Sequence, residues 1–322
     1  MKAYVYGANG AAITDVAKPA PKGTQVLVRV RACGLNRADL GMTKGHAHGS
    51  AGGLGTVLGM EWAGEIAELG PQTKGVKVGD KVMGSGGAAF AEYTLADHGR
   101  LFRAPSNMNF QEAATLPVAL ATMHNAVVTI GGVQPGQAVL IQGASSGVGL
   151  MAMQIAKYKG AKLVVGSSTD AMRRGRLKEF GADLAVDSSD PGWVDQVLKA
   201  TNGEGVDLIV DQVSGKVASQ NLAATKIKGR IVNVGRLGGT HADFNFDLHA
   251  ARRIHYIGVT FRTRSIEEIR EIFDEVRKDI WPAVESRKLQ LPIDKVFDFA
   301  DIGKAFAHME ANKHLGKIVV TL

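Results

Sequence analysis

Cysteine is nearly absent from this chain, in which Cys33 is the only one among 322 residues. A single cysteine excludes an internal disulfide and a structural zinc site of four thiolates, and it suits a reducing compartment such as the cytoplasm. The sequence also lacks an uninterrupted apolar stretch of about 18 residues, so it predicts no membrane-spanning helix.

Neither the basic nor the acidic residues cluster in one part of the sequence. The net charge of +7 comes from 38 basic and 31 acidic residues that are scattered along the chain. No basic patch interleaved with aromatic residues occurs, and aromatic residues make up only 6% of the chain, which disfavours nucleic acid as a partner. A basic surplus is equally natural for a protein that binds phosphorylated cofactors.

A chain of 322 residues exceeds the size at which one hydrophobic core usually stops growing, so we expect two domains. Residues 1–116 carry short apolar runs broken by Gly, Pro and Asp, and Gln25–Arg31 alternates with period two. These patterns predict a β-rich, barrel-like unit. Strand patterns return at Leu291–Phe297 and Gly316–Leu322, so residues 263–322 are predicted to rejoin this unit and make it discontinuous.

Residues 117–262 alternate apolar strands with amphipathic helical patterns. Ala138–Gln142 and Lys162–Val165 are strand-like, whereas Asp170–Phe180 and Lys216–Lys226 are helix-like. Strands that are apolar throughout belong to a parallel sheet covered by helices on both faces. The sequence therefore predicts an α/β fold, with a doubly wound parallel sheet beside the β-rich unit.

A glycine-rich turn lies between the first of these strands and the helical stretch Val148–Lys159. Its spacing is Gly143-x-x-x-Gly147-x-Gly149, not the more common G-x-G-x-x-G. Glycines let the backbone approach a pyrophosphate closely, and the N–H groups at a helix start attract an anion. A tight turn would use glycines in any case, but at the first strand-to-helix turn of an alternating run they favour dinucleotide binding.

The end of the next strand, Leu163–Thr169, bears on the choice between NAD and NADP. NAD enzymes usually offer a carboxylate about 20 residues after the glycine turn, and none stands at this strand tip. Ser167, Ser168 and Arg173 instead supply hydroxyls and a fixed cation, which suit a 2′-phosphate. Asp170 is expected to cap a helix. We therefore expect NADP(H), with Arg173 on a solvated helix face as the alternative.

Two motifs, Gly59–Gly64 and Ala144–Gly149, resemble the medium-chain dehydrogenase/reductase superfamily, and within it the zinc-independent, zeta-crystallin-like quinone oxidoreductases. The resemblance implies a GroES-like catalytic domain formed by residues 1–116 and 263–322, a Rossmann domain for NADP over residues 117–262, and a homodimer. Further motifs follow in the family's order along essentially the whole chain: Cys33–Asp39, Val78–Val82, Ala113–Pro117, Asn233–Gly235 and His314–Val319.

The resemblance also implies that no catalytic zinc is bound. Zinc-dependent relatives carry a cysteine where this chain has Asn36 and a histidine where it has Met60. Asparagine and methionine are poor ligands for Zn²⁺, and Cys33 fits a small buried thiol. Without that Lewis acid, hydride from NADPH needs an electron-poor acceptor, such as a quinone or an alkene conjugated to a carbonyl.

Roles follow from the resemblance for residues that match the family's motifs. It places Asn36 near the nicotinamide as a candidate hydrogen-bond donor to the developing enolate oxygen, Thr122 beside the nicotinamide, and Asp39 as a local brace. Where relatives often have a tyrosine, this chain has an alanine between His46 and His48, and either histidine is a candidate proton donor or an exposed loop residue. The residues implied to contact the cofactor are Ser145, Ser146, Gly147, Val148, Gly149, Gly166, Ser167, Ser168, Arg173, Ser188, Gly235, Arg236, Leu237, Phe261, Arg262 and Lys317.

The leading hypothesis is an NADPH-dependent, zinc-independent reductase of small electrophiles, namely quinones or other activated α,β-unsaturated carbonyls. An enoyl-thioester reductase of the same superfamily is the first alternative, and assays with a quinone and a crotonyl thioester would separate the two. A non-enzymatic NADPH-binding stress or RNA-binding protein is the second alternative, which filter binding in a salt titration would test.

Overall fold

Both ends of the chain contribute to the same folded unit. The structure of the protein, a computed structural model, describes residues 1–49 and 51–322. The first unit consists of Met1–Ala121 together with Phe261–Leu322, and the second consists of Thr122–Thr260. Within the described part of the chain, no helix has both the length and the apolar composition needed to cross a membrane.

The first unit begins with a two-stranded antiparallel hairpin and continues with strands of a larger sheet. Its last helix in this part of the chain, α3, runs into the second unit and is followed by a π-helical turn at Asn125–Thr129. In chain order the elements are β1 (Lys2–Gly7), β2 (Gly10–Asp15), β3 (Gln25–Gly34), α1 (Arg37–Met42), β4 (Glu61–Leu69), β5 (Lys81–Ser85), β6 (Tyr93–Asp97), β7 (Leu101–Arg103), α2 (Phe110–Ala113) and α3 (Pro117–His124).

The second unit is built on a parallel sheet. Its elements are β8 (Ala138–Gln142), α4 (Gly147–Tyr158), β9 (Leu163–Ser167), α5 (Ala171–Gly175), β10 (Leu184–Val186), α6 (Trp193–Ala200), β11 (Val206–Asp211), α7 (Ala218–Ala224), β12 (Thr225–Asn233), α8 (Phe246–Arg252) and β13 (His255–Gly258). The strand order is β10-β9-β8-β11-β12-β13, with each neighbouring pair parallel. The predicted doubly wound sheet is thus confirmed. The order reverses between β8 and β11, and in such sheets ligands bind beyond the carboxyl ends of the strands at this point.

The chain rejoins the first unit after residue 260. Strand β15 pairs with β3, and the sheet order becomes β14-β15-β3-β4-β5-β7, with β6 also pairing with β3. The discontinuous β-rich unit predicted from the sequence is therefore confirmed. The elements of this segment are α9 (Ile266–Asp279), α10 (Trp281–Glu285), β14 (Ile293–Asp298), α11 (Ile302–Glu310) and β15 (Lys317–Thr321).

Each unit has its own hydrophobic core. In the first unit, the ring of Phe306 on α11 packs between Tyr4 and Phe90, with centroid distances of 5.8 and 5.7 Å. In the second unit, β8 is buried along its whole length, which explains why its sequence is apolar throughout. The amphipathic helix α4 covers the sheet, and its Met151 and Met153 are fully buried core residues.

Two of the predicted helices have different bounds. Asp170–Phe180 is not one helix, because α5 is followed by a separate 3₁₀ turn at Leu177–Phe180. The helix predicted over Lys216–Lys226 ends at Ala224, because β12 already begins at Thr225. Strand β13 was not predicted, since its residues are half-buried or exposed and form no continuous apolar run.

Candidate functional site

A tight turn joins β8 to α4 where the strand order of the second unit reverses. Gly143 has a φ of +71°, a conformation that favours glycine. Ser146 caps α4, because its Oγ accepts a hydrogen bond from the Gly149 N–H at 3.1 Å. Gly149 has no room for a side chain, since a Cβ there would lie 2.6 Å from the carbonyl oxygen of Gly143. The turn therefore presents the first N–H groups of a twelve-residue helix, a favourable place for an anion.

Buried polar side chains support this turn from the sheet side. The hydroxyl of Ser167 accepts from the Gly143 N–H at 3.0 Å and donates to Gln142 Oε1 at 2.6 Å. Gln142 Nε2 donates to Asn221 Oδ1 at 2.8 Å, and Asn221 Nδ2 donates to Asp211 Oδ2 at 3.0 Å. Ser167 was predicted to contact the cofactor, whereas its fully buried hydroxyl is hydrogen-bonded inside this network.

The network also links the glycine turn to the end of β11. Ser146 Oγ donates to Gln212 Oε1 at 3.0 Å, and Gln212 follows directly after β11. Burial raises the pKa of Asp211, although the N–H groups of Ser214 and Val213 donate to this carboxyl. Sequence reasoning missed this network, because single polar residues at strand ends do not show which of them meet across the sheet.

The end of β9 holds two more of the predicted cofactor residues. A Cβ on Gly166 would lie 2.8 Å from Met153 Sδ, so this glycine lets β9 pack closely against α4. Ser168 Oγ donates to Ser145 Oγ at 3.0 Å, which places the two hydroxyls side by side beyond the strand. Gly147 is buried at the start of α4, and Val148 beside it is half-buried.

Two neighbouring arginines on α5 differ in their contacts. Arg174 Nη1 donates to the Ser168 carbonyl at 2.8 Å and to Asp187 Oδ2 at 2.9 Å, so it stabilises the local loop. Arg173 Nε is buried and has no hydrogen-bond partner in the described residues, and Asp170 Oδ1 lies 3.6 Å from it. Asp170 caps α5 as predicted, by accepting from the Arg173 N–H. Ser188 is half-buried after Asp187.

The predicted contacts at the end of β12 lie on a loop. A Cβ on Gly235 would lie 2.6 Å from the Gln212 carbonyl oxygen, so the backbones of these two strand ends approach closely. Leu237 N–H donates to the same carbonyl at 3.2 Å. The side chains of Arg236 and Leu237 are exposed.

Thr122, which was predicted to lie beside the nicotinamide, is half-buried on α3.

In the first unit, three polar side chains meet between β3, β4 and β15. Lys317 Nζ donates to Glu61 Oε2 and, at 2.9 Å, to Asn36 Oδ1. Asn36 Nδ2 donates to Glu61 Oε2 at 3.1 Å and makes a longer, 3.4 Å bond to the Gly34 carbonyl. Glu61 Oε1 accepts from the Val118 N–H at 2.7 Å. We call Asn36, Glu61 and Lys317 the polar cluster.

Asp39 lies beside the polar cluster in α1. Its Oδ2 accepts from the Asn36 N–H at 2.7 Å, while its buried Oδ1 has no hydrogen-bond partner in the described residues. Burial raises the pKa of Asp39 to about 7, against the lowering effect of the Asn36 N–H and of the Lys317 charge. Burial also raises the pKa of the Cys33 thiol, whose Sγ donates to the Ala89 carbonyl.

The remaining predicted residues of the first unit lie on loops. His46 is exposed and His48 is half-buried. Burial and the nearby charge of Arg262 lower the pKa of His48, so this imidazole is more readily neutral. A Cβ on Gly49 would lie 3.2 Å from Arg262 Cα, which shows the close approach of the two loops. Phe261 is half-buried, with the Arg264 guanidinium 6.0 Å from the centre of its ring.

The polar cluster does not have the donors of a zinc site. Zn²⁺ binds thiolate, imidazole or carboxylate groups in tetrahedral geometry. Here the charge of the Glu61 carboxylate is neutralised by Lys317. The other side-chain oxygen of the polar cluster is Oδ1 of the Asn36 amide, which also accepts a hydrogen bond from Lys317. A divalent cation at these oxygens would meet a buried ammonium group. Among residues 1–49 and 51–322, no group of three or more His, Cys, Asp or Glu side chains is arranged to hold a metal.

Two family models match the chain. The alcohol dehydrogenase GroES-like domain matches residues 22–106, and the zinc-binding dehydrogenase domain matches residues 147–278. Mouse quinone oxidoreductase-like protein 2 is 30% identical over 313 residues, which cover 96% of this chain and 88% of the mouse protein. A phenolphthiocerol/phthiocerol polyketide synthase from Mycobacterium tuberculosis is 30% identical over 312 residues, 96% of this chain, but the match spans only 14% of that synthase.

Solved structures match over the whole length of the chain. An alcohol dehydrogenase superfamily protein from Novosphingobium aromaticivorans aligns with a TM-score of 0.90 and 30% identity, covering 100% of this chain and 99% of that one. The CurK enoyl reductase aligns with a TM-score of 0.87 and 26% identity, covering 99% of both chains. The two-domain architecture is therefore shared with dehydrogenases and with an enoyl reductase.

Proposed function

Because the chain belongs to the medium-chain dehydrogenase/reductase superfamily, in its zinc-independent quinone oxidoreductase branch, we propose that it is an NADPH-dependent reductase. Its acceptors are quinones or other activated α,β-unsaturated carbonyls. In this proposal residues 117–262 are the cofactor domain, and residues 1–116 and 263–322 are the catalytic domain. Homodimeric assembly and a cytoplasmic location are also part of the proposal, and light scattering would test the first.

The observation that carries the proposal is the glycine turn at the switch point of the parallel sheet. Gly143 and Gly149 allow the tight turn, and the Ser146 cap takes the Gly149 N–H, so the Gly147 and Val148 N–H groups at the start of α4 would hold the pyrophosphate. Ser145 and Val148 flank this position. Bound NADPH would supply a hydride, and the residues of the chain would bind and orient it.

The choice of NADPH rests on the loop after β9. Arg173 Nε is a buried donor without a hydrogen bond in the described residues, and the Ser168 and Ser145 hydroxyls lie next to each other. The Asp170 carboxylate forms an ion pair with Arg173 but leaves Nε without a short hydrogen bond, and a 2′-phosphate would give the guanidinium a charge-assisted one. The remaining predicted cofactor contacts stay part of the proposal: Ser188, Gly235, Arg236, Leu237, Phe261 and Arg262.

The polar cluster fixes the orientation of the Asn36 amide. Asn36 Oδ1 accepts from Lys317, and one of the Nδ2 hydrogens is donated to Glu61. The second Nδ2 hydrogen makes only the long bond to the Gly34 carbonyl, so it is the donor most available to a ligand. We propose that this N–H stabilises charge that develops on the acceptor oxygen. Lys317 then acts through Asn36. Asp39 braces α1.

Kinetics with both nicotinamide cofactors would test the proposal. NADPH oxidation should depend on an added quinone or enone. Arg173→Ala should raise the KM for NADPH by about tenfold or more, as for the loss of a charge-assisted hydrogen bond, with little change for NADH. Arg176→Ala is the matched control, because this arginine is paired with Glu179 on the surface. Equal effects of Arg173→Ala on both cofactors would contradict the assignment of NADPH, and no oxidation with any acceptor would contradict the proposed activity.

An enoyl-thioester reductase is the second candidate. It is favoured by the similarity to polyketide synthases and to the CurK enoyl reductase. Both activities need hydride transfer to an alkene or ring made electron-poor by a carbonyl. Comparison of kcat/KM for a crotonyl thioester and for a quinone, each with NADPH, would decide between the two.

A further inference from the structure

Arg100, in the 3₁₀ turn between β6 and β7, is a half-buried cation whose side chain makes no hydrogen bond within the described part of the chain. Its Nε is fully buried and unpartnered, and none of its side-chain nitrogens donates to an acceptor within residues 1–49 and 51–322. Burial lowers the pKa of its guanidinium, although the guanidinium stays charged at any physiological pH. A guanidinium carries five donors, and a buried donor without an acceptor is costly. Only Nε is fully buried, so an acceptor from outside the chain would be met by the two Nη groups.

The carboxylate whose charge acts on Arg100, that of Asp97, has no accepting capacity left for it. Asp97 accepts from Arg270 Nε at 2.8 Å and from Arg270 Nη2 at 2.7 Å. It also accepts from Thr24 Oγ1 at 2.7 Å and from the Gly99 N–H at 2.9 Å. Four hydrogen bonds use the usual accepting capacity of a carboxylate. The positive charge of Arg100 is therefore not matched by a hydrogen-bonded acid.

The other nearby arginine already has partners. Arg277 Nη2 donates to the Gly99 carbonyl at 3.2 Å and lies 3.1 Å from Asp274 Oδ1. Its guanidinium also lies 5.8 Å from the centre of the Phe102 ring. Arg277 Nη1 is also a buried donor without a hydrogen bond among the described residues, but its guanidinium has the Asp274 carboxylate as an ion-pair partner. Arg100 has no ion pair with a carboxylate in the described part of the chain, which distinguishes it from Arg270 and Arg277.

Glycines leave open space beside the Arg100 guanidinium. A Cβ on Gly86 would approach only Arg100 Cζ, at 4.0 Å, and a Cβ on Gly87 would meet no atom within 4 Å. Gly86 is half-buried and Gly87 is exposed, so a ligand has access from solvent. The loop is anchored by the Gly86 N–H, which donates to the Met60 carbonyl at 2.9 Å.

This open space lies at the same end of the sheet as the polar cluster. Strands β4 and β5 are antiparallel, and Glu61, the first residue of β4, pairs with Ser85, the last residue of β5. Gly86 follows directly. A substrate group held at Arg100 would therefore extend from the side of the first unit that carries Asn36 and Lys317.

We propose that Arg100, together with the open backbone of Gly86 and Gly87, binds an anionic oxygen group, a carboxylate or a phosphate, carried by the electron acceptor. Arg100 is then a specificity-determining residue, because a guanidinium matches the two oxygens of such a group with parallel hydrogen bonds. The kinetic part of this inference rests on the proposed reductase function. The binding part does not.

Three acceptors would test the inference: pent-3-en-2-one, which is neutral, 4-oxopent-2-enoate, which carries a carboxylate, and crotonyl-CoA, which carries phosphates. Arg100→Gln should raise the KM of at least one anionic acceptor about tenfold or more relative to that of the neutral enone. An effect confined to 4-oxopent-2-enoate identifies a carboxylate site, and one confined to crotonyl-CoA identifies a phosphate site. Arg100→Lys, which keeps the charge, should recover part of the loss. Equal changes for all three acceptors, or none, would overturn the inference.

A matched control and a binding measurement complete the test. Arg103→Gln, at an exposed arginine of the adjacent strand β7 that pairs with Asp80, should leave the three KM values unchanged. In an Arg173→Ala background, inorganic phosphate or 4-oxopentanoate should raise the Tm, and the rise should increase with the logarithm of concentration above the dissociation constant. Arg100→Gln should clearly reduce that rise, and any part that remains belongs to anions bound at the start of α4. This measurement needs no turnover, so it separates failure of the anion site from failure of the proposed reductase function. A rise of the same size with and without Arg100→Gln, for both anions, would overturn the site.

Discussion

Lys317 and Glu61 form an ion pair whose side chains are 5% and 0% exposed. Both charges have lost their hydration, and they are compensated by each other and by hydrogen bonds from the Val118 N–H to Glu61 and from Lys317 to Asn36. In such an environment the removal of one partner leaves the other as an uncompensated buried charge. The pair thus constrains β4, β15 and the Asn36 loop to one arrangement.

Single substitutions in this pair should be strongly destabilising. Lys317→Met leaves a buried carboxylate and Glu61→Gln leaves a buried ammonium, so each should lower the free energy of unfolding by about 3–5 kcal/mol. The double variant Glu61→Gln/Lys317→Met should lose clearly less than the sum of the two, because neither charge remains. Urea unfolding of the four proteins would measure this coupling. Additive losses would contradict a compensating pair.

The same cluster predicts the metal content. Because Lys317 donates to both Glu61 and Asn36, a divalent cation at these oxygens would be repelled by the ammonium group. Metal analysis of the purified protein should find much less than one zinc per chain, and treatment with a chelator should leave the NADPH-dependent activity unchanged. One tightly held zinc per chain, with activity lost on its removal, would refute this prediction.

The sequence predicted the second unit better than the polar cluster, for physical reasons. The apolar strand β8, the Gly143–Gly149 turn and helix α4 are contiguous, so local pattern and turn chemistry report them directly. Lys317 and Glu61, in contrast, stand 256 positions apart, and no periodicity links a lysine in the last strand to a glutamate in β4. The motifs that resemble a known family contained both residues but did not show that they meet.

Arg100 illustrates the same limit at a single residue. In the sequence it is one of 38 basic residues, most of which belong on a solvated surface. Arg100 lacks a hydrogen-bonded acid because Asp97 already accepts four hydrogen bonds, from Arg270, Thr24 and Gly99. These donors come from segments that are distant in the sequence. Sequence patterns report which face of an element is buried, but they do not report which acceptors are already used.

Gly149 should tolerate no side chain. In Gly149→Ala, the new Cβ would lie 2.6 Å from the Gly143 carbonyl oxygen and 2.7 Å from Ala144 Cα, so backbone would have to move. Overpacking of this kind costs about 1–3 kcal/mol, and the distorted turn should bind NADPH at least about tenfold more weakly. Fluorescence titration with NADPH and a Tm measurement would check both effects.

Gly303→Ala is the matched control for this substitution. Gly303 lies in α11, and a Cβ there would meet no atom within 4 Å. Alanine is the better helix former by about 1 kcal/mol, so this variant should keep or raise the Tm and should bind NADPH normally. If both alanine variants behaved alike, the close packing of the glycine turn would not be the cause.

Asp39 should make stability depend on pH in an unusual direction for an aspartate. Its pKa is raised by burial from 3.8 to about 7, so between these values the folded protein binds a proton that the unfolded chain has released. The contribution of Asp39 to the free energy of unfolding should therefore be largest below about pH 4. It should fall as the pH rises to 7, by at most about 1.4 kcal/mol per pH unit, and level off above pH 7.

Asp39→Asn, which cannot titrate, should remove this slope between pH 5 and 7. Asp243→Asn, at an exposed position, is the control and should keep it. Urea midpoints at pH 5, 6, 7 and 8 would measure the difference, and identical slopes in all three proteins would show that Asp39 stays ionised in the fold.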